Sequence, residues 1–250
     1  MGIDLAKMRQ KHAALNNRGG DSSDNFWKPD EGTHQVRLVC PPDGDPFFEA
    51  YYHYGMGAEG KTTVLSPRTN GDADPIAEWG TRLWNEGTDG SKEAAKRFWP
   101  KMRIFAPIVV RGEEDKGIRA WGYGVTAYKK LLGLVLNPEY GDITDVDEGT
   151  DLTITYGKVA GKRFPETNIN PRRRTSILCN DAVGGPQRCA ELLNNMPDVS
   201  KLFERVSSQD AQNILDEVLA DENTGAEEIH YNNTGATDDI EAAYSQLMNS

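Results

Sequence analysis

Apolar and polar residues alternate most clearly between positions 101 and 123, where the pattern predicts two strands joined by a turn. Alternate side chains of a strand share a face, and one face of each run is apolar, as a core requires. The opposite face combines cations with aromatic rings: Lys101, Arg103 and Phe105 in the first run, and Arg119, Trp121 and Tyr123 in the second. We therefore expect a β-hairpin, turning at residues 112–117, whose cationic and aromatic face lies toward solvent.

The same reasoning predicts further strands from alternation and helices from a spacing of three to four residues. The expected strands are residues 34–40, 47–54, 61–65 and 151–156. The expected helices are a short one within residues 1–20, then 76–84, 91–99 with Ser91 as its N-cap, 126–136, 189–206 and 211–220. Short strands that enclose a hairpin and are interrupted by helices favour an α+β fold, specifically an OB-type antiparallel β-barrel with helical insertions.

Charge divides the chain into parts that the net value of -11 conceals. Residues 207–250 contain ten acids and no Lys or Arg, while the other 206 residues hold 29 acids and 28 bases. We expect a basic N-terminal helical arm at residues 1–20, an OB-type core at 21–206 and an acidic C-terminal tail at 207–250. Because the core is nearly neutral, the acidity of the whole chain does not exclude binding to a polyanion.

Segments for export, membrane insertion or disulfide scaffolding are not expected. No apolar run approaches 18 residues and the start lacks a signal-peptide pattern, so we expect a soluble, cytosolic protein. The three cysteines, Cys40, Cys179 and Cys189, are odd in number and show no C-x-x-C spacing, which favours reduced thiols.

Cations interleaved with flat rings suit a single-stranded nucleic acid, because cations pair with phosphates and rings stack on unpaired bases. A second such cluster follows the last predicted strand; it comprises Lys158, Lys162, Arg163, Phe164, Arg172, Arg173 and Arg174. Rings in a strand are also commonly covered by a helix or a second sheet, and an arginine triplet can be a solvated loop. The coincidence of rings and cations on one face of both hairpin strands favours the nucleic-acid interpretation.

Two other classes of function remain open. Asp142, Asp145, Asp147 and Glu148 form an acid cluster that a metal-dependent nuclease could use. A structural or adaptor protein would instead use the aromatic strands as a protein interface. The sequence shows no nucleophile, general base or nucleotide-binding loop, so we expect binding without catalysis and without a cofactor.

The order of these features resembles a known family, the helix-destabilising single-stranded DNA-binding proteins of tailed phages, the gene-32 type of T-even phages. The similar stretches are FWKPDEG, VRLVCPP, YYHYG, the FAPIVV and GIRAWGYG hairpin, and LTITYGKVAG, with a basic N-terminal helix before them and an acidic, helix-ended tail after them. The resemblance implies an OB core that binds DNA, with Trp121, Tyr123 and more loosely Phe164 in its cleft. It also implies an acidic tail that binds replication and recombination proteins, and a location in the cytoplasm of the infected bacterial host.

The chain departs from the family pattern at two places. The family holds a structural zinc with one His and three Cys; His53 matches the His, but residues 66–84 contain no Cys. Tetrahedral zinc needs four ligands, so we expect no metal and a loop held by packing. The family's N-terminal arm supports cooperative self-association along DNA, and its bases correspond here to Lys7, Arg9 and Lys11, which are spaced rather than contiguous.

The tail suggests a further hypothesis. Its acids could mimic DNA and occupy the cationic cleft until a strand displaces them. Removing the residues after Val206 should then strengthen binding, above all to duplex DNA.

Overall fold

The computed structural model describes residues 25–57, 60–162, 164–180 and 185–224. Within them the chain forms β1 (Phe26–Trp27), β2 (Gly32–Leu38), β3 (Phe48–Met56), β4 (Thr62–Leu65), α1 (Pro75–Asn85), α2 (Asp89–Phe98), β5 (Lys101–Val110), β6 (Ile118–Gly124), α3 (Val125–Val135), β7 (Thr150–Gly157), β8 (Glu166–Thr175), α4 (Pro186–Asn194) and α5 (Ser208–Thr224). Short 3-10 turns lie at Pro67–Asn70, Glu114–Lys116 and Val199–Leu202. The predicted α+β class is confirmed.

The chain divides into two compact units, which we call the first and the second unit. The first contains residues up to Phe48 together with Ile104–Leu202. The second contains Glu49–Arg103 and the residues from Phe203 onward.

The sheet of the first unit is mixed and open. Its strands follow the order β1-β6-β5-β2-β7-β8. β1 runs parallel to β6, whereas β2 is antiparallel to both β5 and β7, and β7 is antiparallel to β8. The sequence predicts an OB-type antiparallel barrel, and this order instead leaves β1 and β8 at the two ends of an open path.

The predicted hairpin is confirmed as β5 and β6, which are neighbours in the sheet. Other predicted elements are present with shifted bounds. Helix α2 begins earlier than expected, because Thr88 rather than Ser91 is its N-cap: the Thr88 hydroxyl accepts a hydrogen bond from the Ser91 amide at 3.1 Å. The long helix expected at 189–206 is the shorter α4, followed by a 3-10 turn. Strand β8 has no counterpart among the predicted elements.

A buried ionic cluster ties the end of β2 to the start of β7 and to the loop before it. Arg37 is fully buried, and its Nε donates to Asp151 at 2.9 Å. Its Nη1 donates to the Asp145 carbonyl and its Nη2 to Ser176. Gly149 permits this close approach, since a Cβ there would lie 2.3 Å from the Asp145 carbonyl oxygen and 2.6 Å from Arg37 Nη1. The cluster anchors the segment that leaves β8.

The prediction of three reduced thiols is wrong for two of them. Cys179 and Cys189 form a disulfide with their Cα atoms 5.5 Å apart, and Cys40 is free. The bond joins the segment after β8 to helix α4 within an apolar cluster that includes Val39 and Val109. Spacing along the chain carries no sign of this pairing, because the fold brings the two residues together.

The second unit has its own core, built from α1, α2, β3, β4 and α5. Ala211, Leu215 and Val218 of α5 pack with residues of the other four elements, namely Met56, Val64, Ile76 and Phe98. The predicted boundary at residue 206 therefore separates residues that share a core, and the first part of the expected tail is a packed helix. Over the part of the chain that the structure describes, no helix has the length and apolar character needed to cross a membrane.

Candidate nucleic-acid interface

The three hairpin rings predicted to face solvent are buried. Phe105 and Trp121 are each 1% exposed, and Tyr123 is 3% exposed. Burial raises the pKa of Tyr123 well above its ordinary value, with Tyr128 and Asp45 acting in the same direction. The expectation that these rings line an open groove is wrong for this structure, in which they are part of the core.

Strand β1 supplies rings that pack against two of them, Phe105 and Trp121. Phe26 packs edge-on against Phe105, with ring centroids 6.1 Å apart, and Trp27 packs against Trp121 at 6.0 Å. Because β1 pairs with β6, Trp27 lies directly opposite Trp121. A parallel strand of two residues that pairs with a distant segment leaves no periodic signal in the sequence, so the outer face of the hairpin was misassigned.

The cations of the hairpin do not form one exposed group either, because they differ in burial and in ion pairing. Arg119 is 7% exposed and its Nη2 donates to Glu113 at 2.8 Å, so it does not present a free charge to a phosphate. Hydrogen bonding from Lys116 and then from Arg119 lowers the pKa of Glu113, against an opposing effect of burial. Lys101 is exposed and Arg103 is half-buried. The predicted role of Arg119 in phosphate pairing is therefore wrong for this structure.

The second predicted cluster lies largely on the surface. Lys158 is exposed, and Lys162 is exposed but forms an ion pair with Glu166. Phe164 is half-buried. Arg163, like the arm residues Lys7, Arg9 and Lys11, lies outside the described residues.

Arg172, Arg173 and Arg174 are all exposed and belong to β8, at one end of the sheet. The register shows why they project: Leu152 of β7 pairs with Pro171 and Thr150 with Thr175. One residue of β7 therefore faces three residues of β8, which is a bulge, and bulges commonly redirect side chains at sheet edges. Among the described residues none of the three arginines has an ion pair, and Arg172 donates to the Gln35 side chain at 2.7 Å. We call Arg172–Arg174 the arginine bulge.

A polar face of the sheet adjoins this bulge. Directly paired residues of neighbouring strands share a face, and here the pairing joins β2, β7 and β8 in two rows. We call these six residues the polar face: Thr33, Thr155 and Asn168 in one row, and Gln35, Thr153 and Asn170 in the other. All are exposed except Thr153, which is half-buried. Lys130 of α3 donates to Asn168 at 2.8 Å and places a further cation beside the first row.

This arrangement suits a phosphodiester chain. Three exposed guanidinium groups, none of which has an ion pair among the described residues, offer forked donors that match phosphate oxygens. Hydroxyl and amide side chains are ordinary partners of phosphate and sugar. Sequence reasoning found the arginines but missed the polar face, because threonines and asparagines at alternate positions become a surface only once the strands are paired.

The acid cluster has a local structural role. Asp145 accepts hydrogen bonds from the amides of Glu148 and Asp147, at 2.7 and 2.8 Å, and these lower its pKa. Asp142 accepts from the amide and hydroxyl of Thr144. In the described ranges no group of three or more His, Cys, Asp or Glu side chains is placed to hold a metal ion.

The position that the family pattern assigns to zinc contains a hydrogen-bonded cluster instead. Asp74 lies 2.9 Å from His53 Nε2, and the hydroxyl of Ser66 donates to the same carboxylate. His53 and Ser66 are fully buried. Since tetrahedral zinc needs four ligands and the His53 nitrogen nearest the carboxylate is engaged with it, these residues do not fit the metal. The sequence led us to expect a loop held by packing, whereas buried hydrogen bonds from His53 and Ser66 to Asp74 also hold it.

Comparison with known proteins adds no family assignment. No protein-family model matches the chain, and no curated protein matches it.

Proposed function

We propose that the protein binds single-stranded DNA without strong sequence preference, and that the arginine bulge of β8 is its principal phosphate contact. The observation that supports this is the set of three exposed arginines, Arg172–Arg174, which have no ion pair among the described residues and adjoin the polar face. Elsewhere the described cations Arg37, Arg111 and Arg119 are neutralised by acids. A local excess of positive charge draws a polyanion even to a chain that is acidic overall.

The proposed mode of binding differs from the one expected from the hairpin. The backbone of the DNA strand lies along the edge of β8. There the arginines pair with successive phosphates, and the polar face contacts sugars and phosphates. Lys130 and Lys158 extend the cationic border. The buried rings Phe105, Trp121 and Tyr123 support the sheet and do not stack on bases in this structure.

The finer assignments belong to the same proposal. They are an OB-type core with helical insertions, a basic arm for self-association along DNA, an acidic tail for replication and recombination proteins, and a role in phage DNA replication, recombination and repair. Helix α3 contacts both β6 and β8, which are four positions apart in the sheet. A helix makes such contacts when it covers the open side of a curled sheet, and this supports the proposed OB-type core. The proposed activity is binding without catalysis.

Binding of a fluorescein-labelled oligothymidylate, followed by anisotropy with an equal-length duplex as competitor, tests the proposal. We expect the wild-type chain to prefer the single strand and the triple variant Arg172→Ala, Arg173→Ala, Arg174→Ala to bind at least ~10-fold more weakly. The matched control removes three exposed cations elsewhere in the first unit: Lys116→Ala, Arg188→Ala and Lys201→Ala. No binding by the wild-type chain, or equal losses in the two triple variants, would contradict the proposal.

A further inference from the structure

Two tryptophans lie side by side at the surface of the second unit. They are more than 70 residues from the arginine bulge along the chain. Trp84 is 40% exposed and Trp99 is 36% exposed. Their ring centroids are 5.0 Å apart and their planes are inclined by 50°. The Lys92 ammonium lies 5.8 Å from the centroid of the Trp84 ring. Tryptophan is usually highly buried, so two large rings exposed to solvent next to a cation indicate a binding site.

The two rings are held in place by the packing of α1 against α2. Trp84 follows Gly80 by four residues, so both lie on one face of α1. A Cβ at Gly80 would lie 3.1 Å from Trp99 Cδ1 and 3.0 Å from Phe98 Cβ. Glycine is unfavourable in a helix interior, and here its lack of a side chain lets Trp99 sit directly against the helix. The ring of Trp99 is thereby fixed beside that of Trp84.

We propose that Trp84 and Trp99, with Lys92, form a stacking site for unpaired bases of single-stranded DNA. The π faces of tryptophan stack on any base, and an adjacent ammonium pairs with the phosphate that follows it. Lys101, which is exposed, stands two residues after Trp99 in the chain and adds a second cation. The inference rests on the proposed function for its ligand, but it names a second set of residues, all in the second unit, and supplies the base contact that the buried hairpin rings do not.

The tryptophans themselves provide the measurement. Trp27 and Trp121 are buried and Trp79 packs against the core of the second unit, so Trp84 and Trp99 are the ones open to a ligand. Titration of the full-length chain with unlabelled oligothymidylate should quench tryptophan fluorescence, and Trp84→Phe with Trp99→Phe should remove most of that change. In the labelled-oligonucleotide assay, Trp84→Ala should weaken binding by ~10-fold. Lys92→Glu should weaken it several-fold without removing any apolar contact of the core.

Leu136→Ala is the matched control, because Leu136 is 77% exposed, belongs to the first unit and has no cation assigned to it. Circular dichroism checks that each variant is folded. If Trp84→Ala does not fold, Lys92→Glu still tests the inference. This inference is overturned if Trp84→Ala and Lys92→Glu bind as tightly as the wild-type chain and tryptophan fluorescence is not quenched. The proposed function stands in that case if the arginine variant still loses binding. A protein-binding role for the two rings would give that result. If the wild-type chain binds no oligonucleotide, both proposals fail.

Discussion

Asp74 and His53 form a buried pair: the carboxylate lies 2.9 Å from His53 Nε2, and the histidine is fully buried. The same carboxylate accepts from Ser66, and through its other oxygen it caps helix α1 by accepting from the Ala77 amide at 3.1 Å. An ionised carboxylate only accepts hydrogen bonds, so the histidine donates through Nε2. One side chain therefore joins β3, the segment after β4 and the start of α1.

Replacing Asp74 should destabilise the second unit. Asp74→Ala removes a helix cap, worth about 1 kcal/mol, and leaves two buried donors unsatisfied, at about 1–3 kcal/mol each. We expect a loss of at least about 3 kcal/mol in the free energy of unfolding, measured by urea titration. Asp72→Ala, which removes an exposed ion pair with Arg205, should cost less than about 1 kcal/mol. Equal effects of the two substitutions would refute the structural role of Asp74.

The same pair gives stability a defined dependence on pH. Burial raises the pKa of Asp74, but the hydrogen bonds from His53 and Ser66, the charge of His53 and the Ala77 amide together outweigh burial and lower it. A carboxyl whose folded pKa is lowered stabilises the fold above its unfolded value of about 3.9, and the contribution is lost as pH falls through the folded pKa. The midpoint of urea unfolding should thus fall more steeply below about pH 4 in the wild-type chain than in Asp74→Asn. Parallel pH profiles would contradict this assignment.

Truncating the tail at two positions should have two different effects, one on stability and one on DNA affinity. A chain ending at Val206 loses α5 and with it the burial of Leu215 and Val218, so we expect it to lose about 3–6 kcal/mol of stability. A chain ending at Thr224 keeps this core and loses only residues beyond the described part, which contain five of the ten tail acids. If the tail competes with DNA, the chain ending at Thr224 should bind an oligonucleotide more tightly than the full chain. Unchanged affinity after this second truncation would assign the tail to other partners.

The hydroxyl of Tyr123 is buried without a hydrogen-bond partner among the described residues. Removing an unsatisfied buried hydroxyl avoids a desolvation cost of about 1–3 kcal/mol, so Tyr123→Phe should leave stability unchanged or raise it by about 1 kcal/mol. Tyr140→Phe serves as the control at a more accessible site. A destabilised Tyr123→Phe would show that the hydroxyl has a partner in solution.

Thiol counting tests the disulfide. The unfolded chain should react with one equivalent of Ellman's reagent before reduction and three after it, because Cys40 is the free cysteine. Burial and then Asp142 raise the pKa of Cys40, so it should react slowly in the native chain. Cys179→Ser with Cys189→Ser should lower the free energy of unfolding by about 2–3 kcal/mol, as expected for a loop of about ten residues. Three reactive thiols without reduction would contradict the bond.

Local patterns predicted the local structure well and the surfaces poorly. The hairpin follows from alternation and a glycine-bounded turn within one short stretch, so it could be predicted. Strand β8 could not: Asn170, Pro171 and three arginines offer no apolar face, and the segment becomes a strand because β7 offers it an edge to pair with. The rings of Trp121 and Tyr123 were misassigned for the same reason, since β1 reaches β6 from a distant part of the chain. His53 was singled out by resemblance, but its partner Asp74 follows only from the folded structure.

The most direct test of the central claim is the salt dependence of binding to the labelled oligothymidylate in the wild-type chain and the Arg172–Arg174 alanine variant. Each phosphate neutralised on a single strand contributes about -0.7 to the slope of log K against log salt concentration. We predict a slope of about -3 to -4 for the wild-type chain and a slope smaller in magnitude by about 2 for the variant. Equal slopes in the two chains, or an affinity independent of salt, would contradict the assignment of the arginine bulge as the phosphate contact.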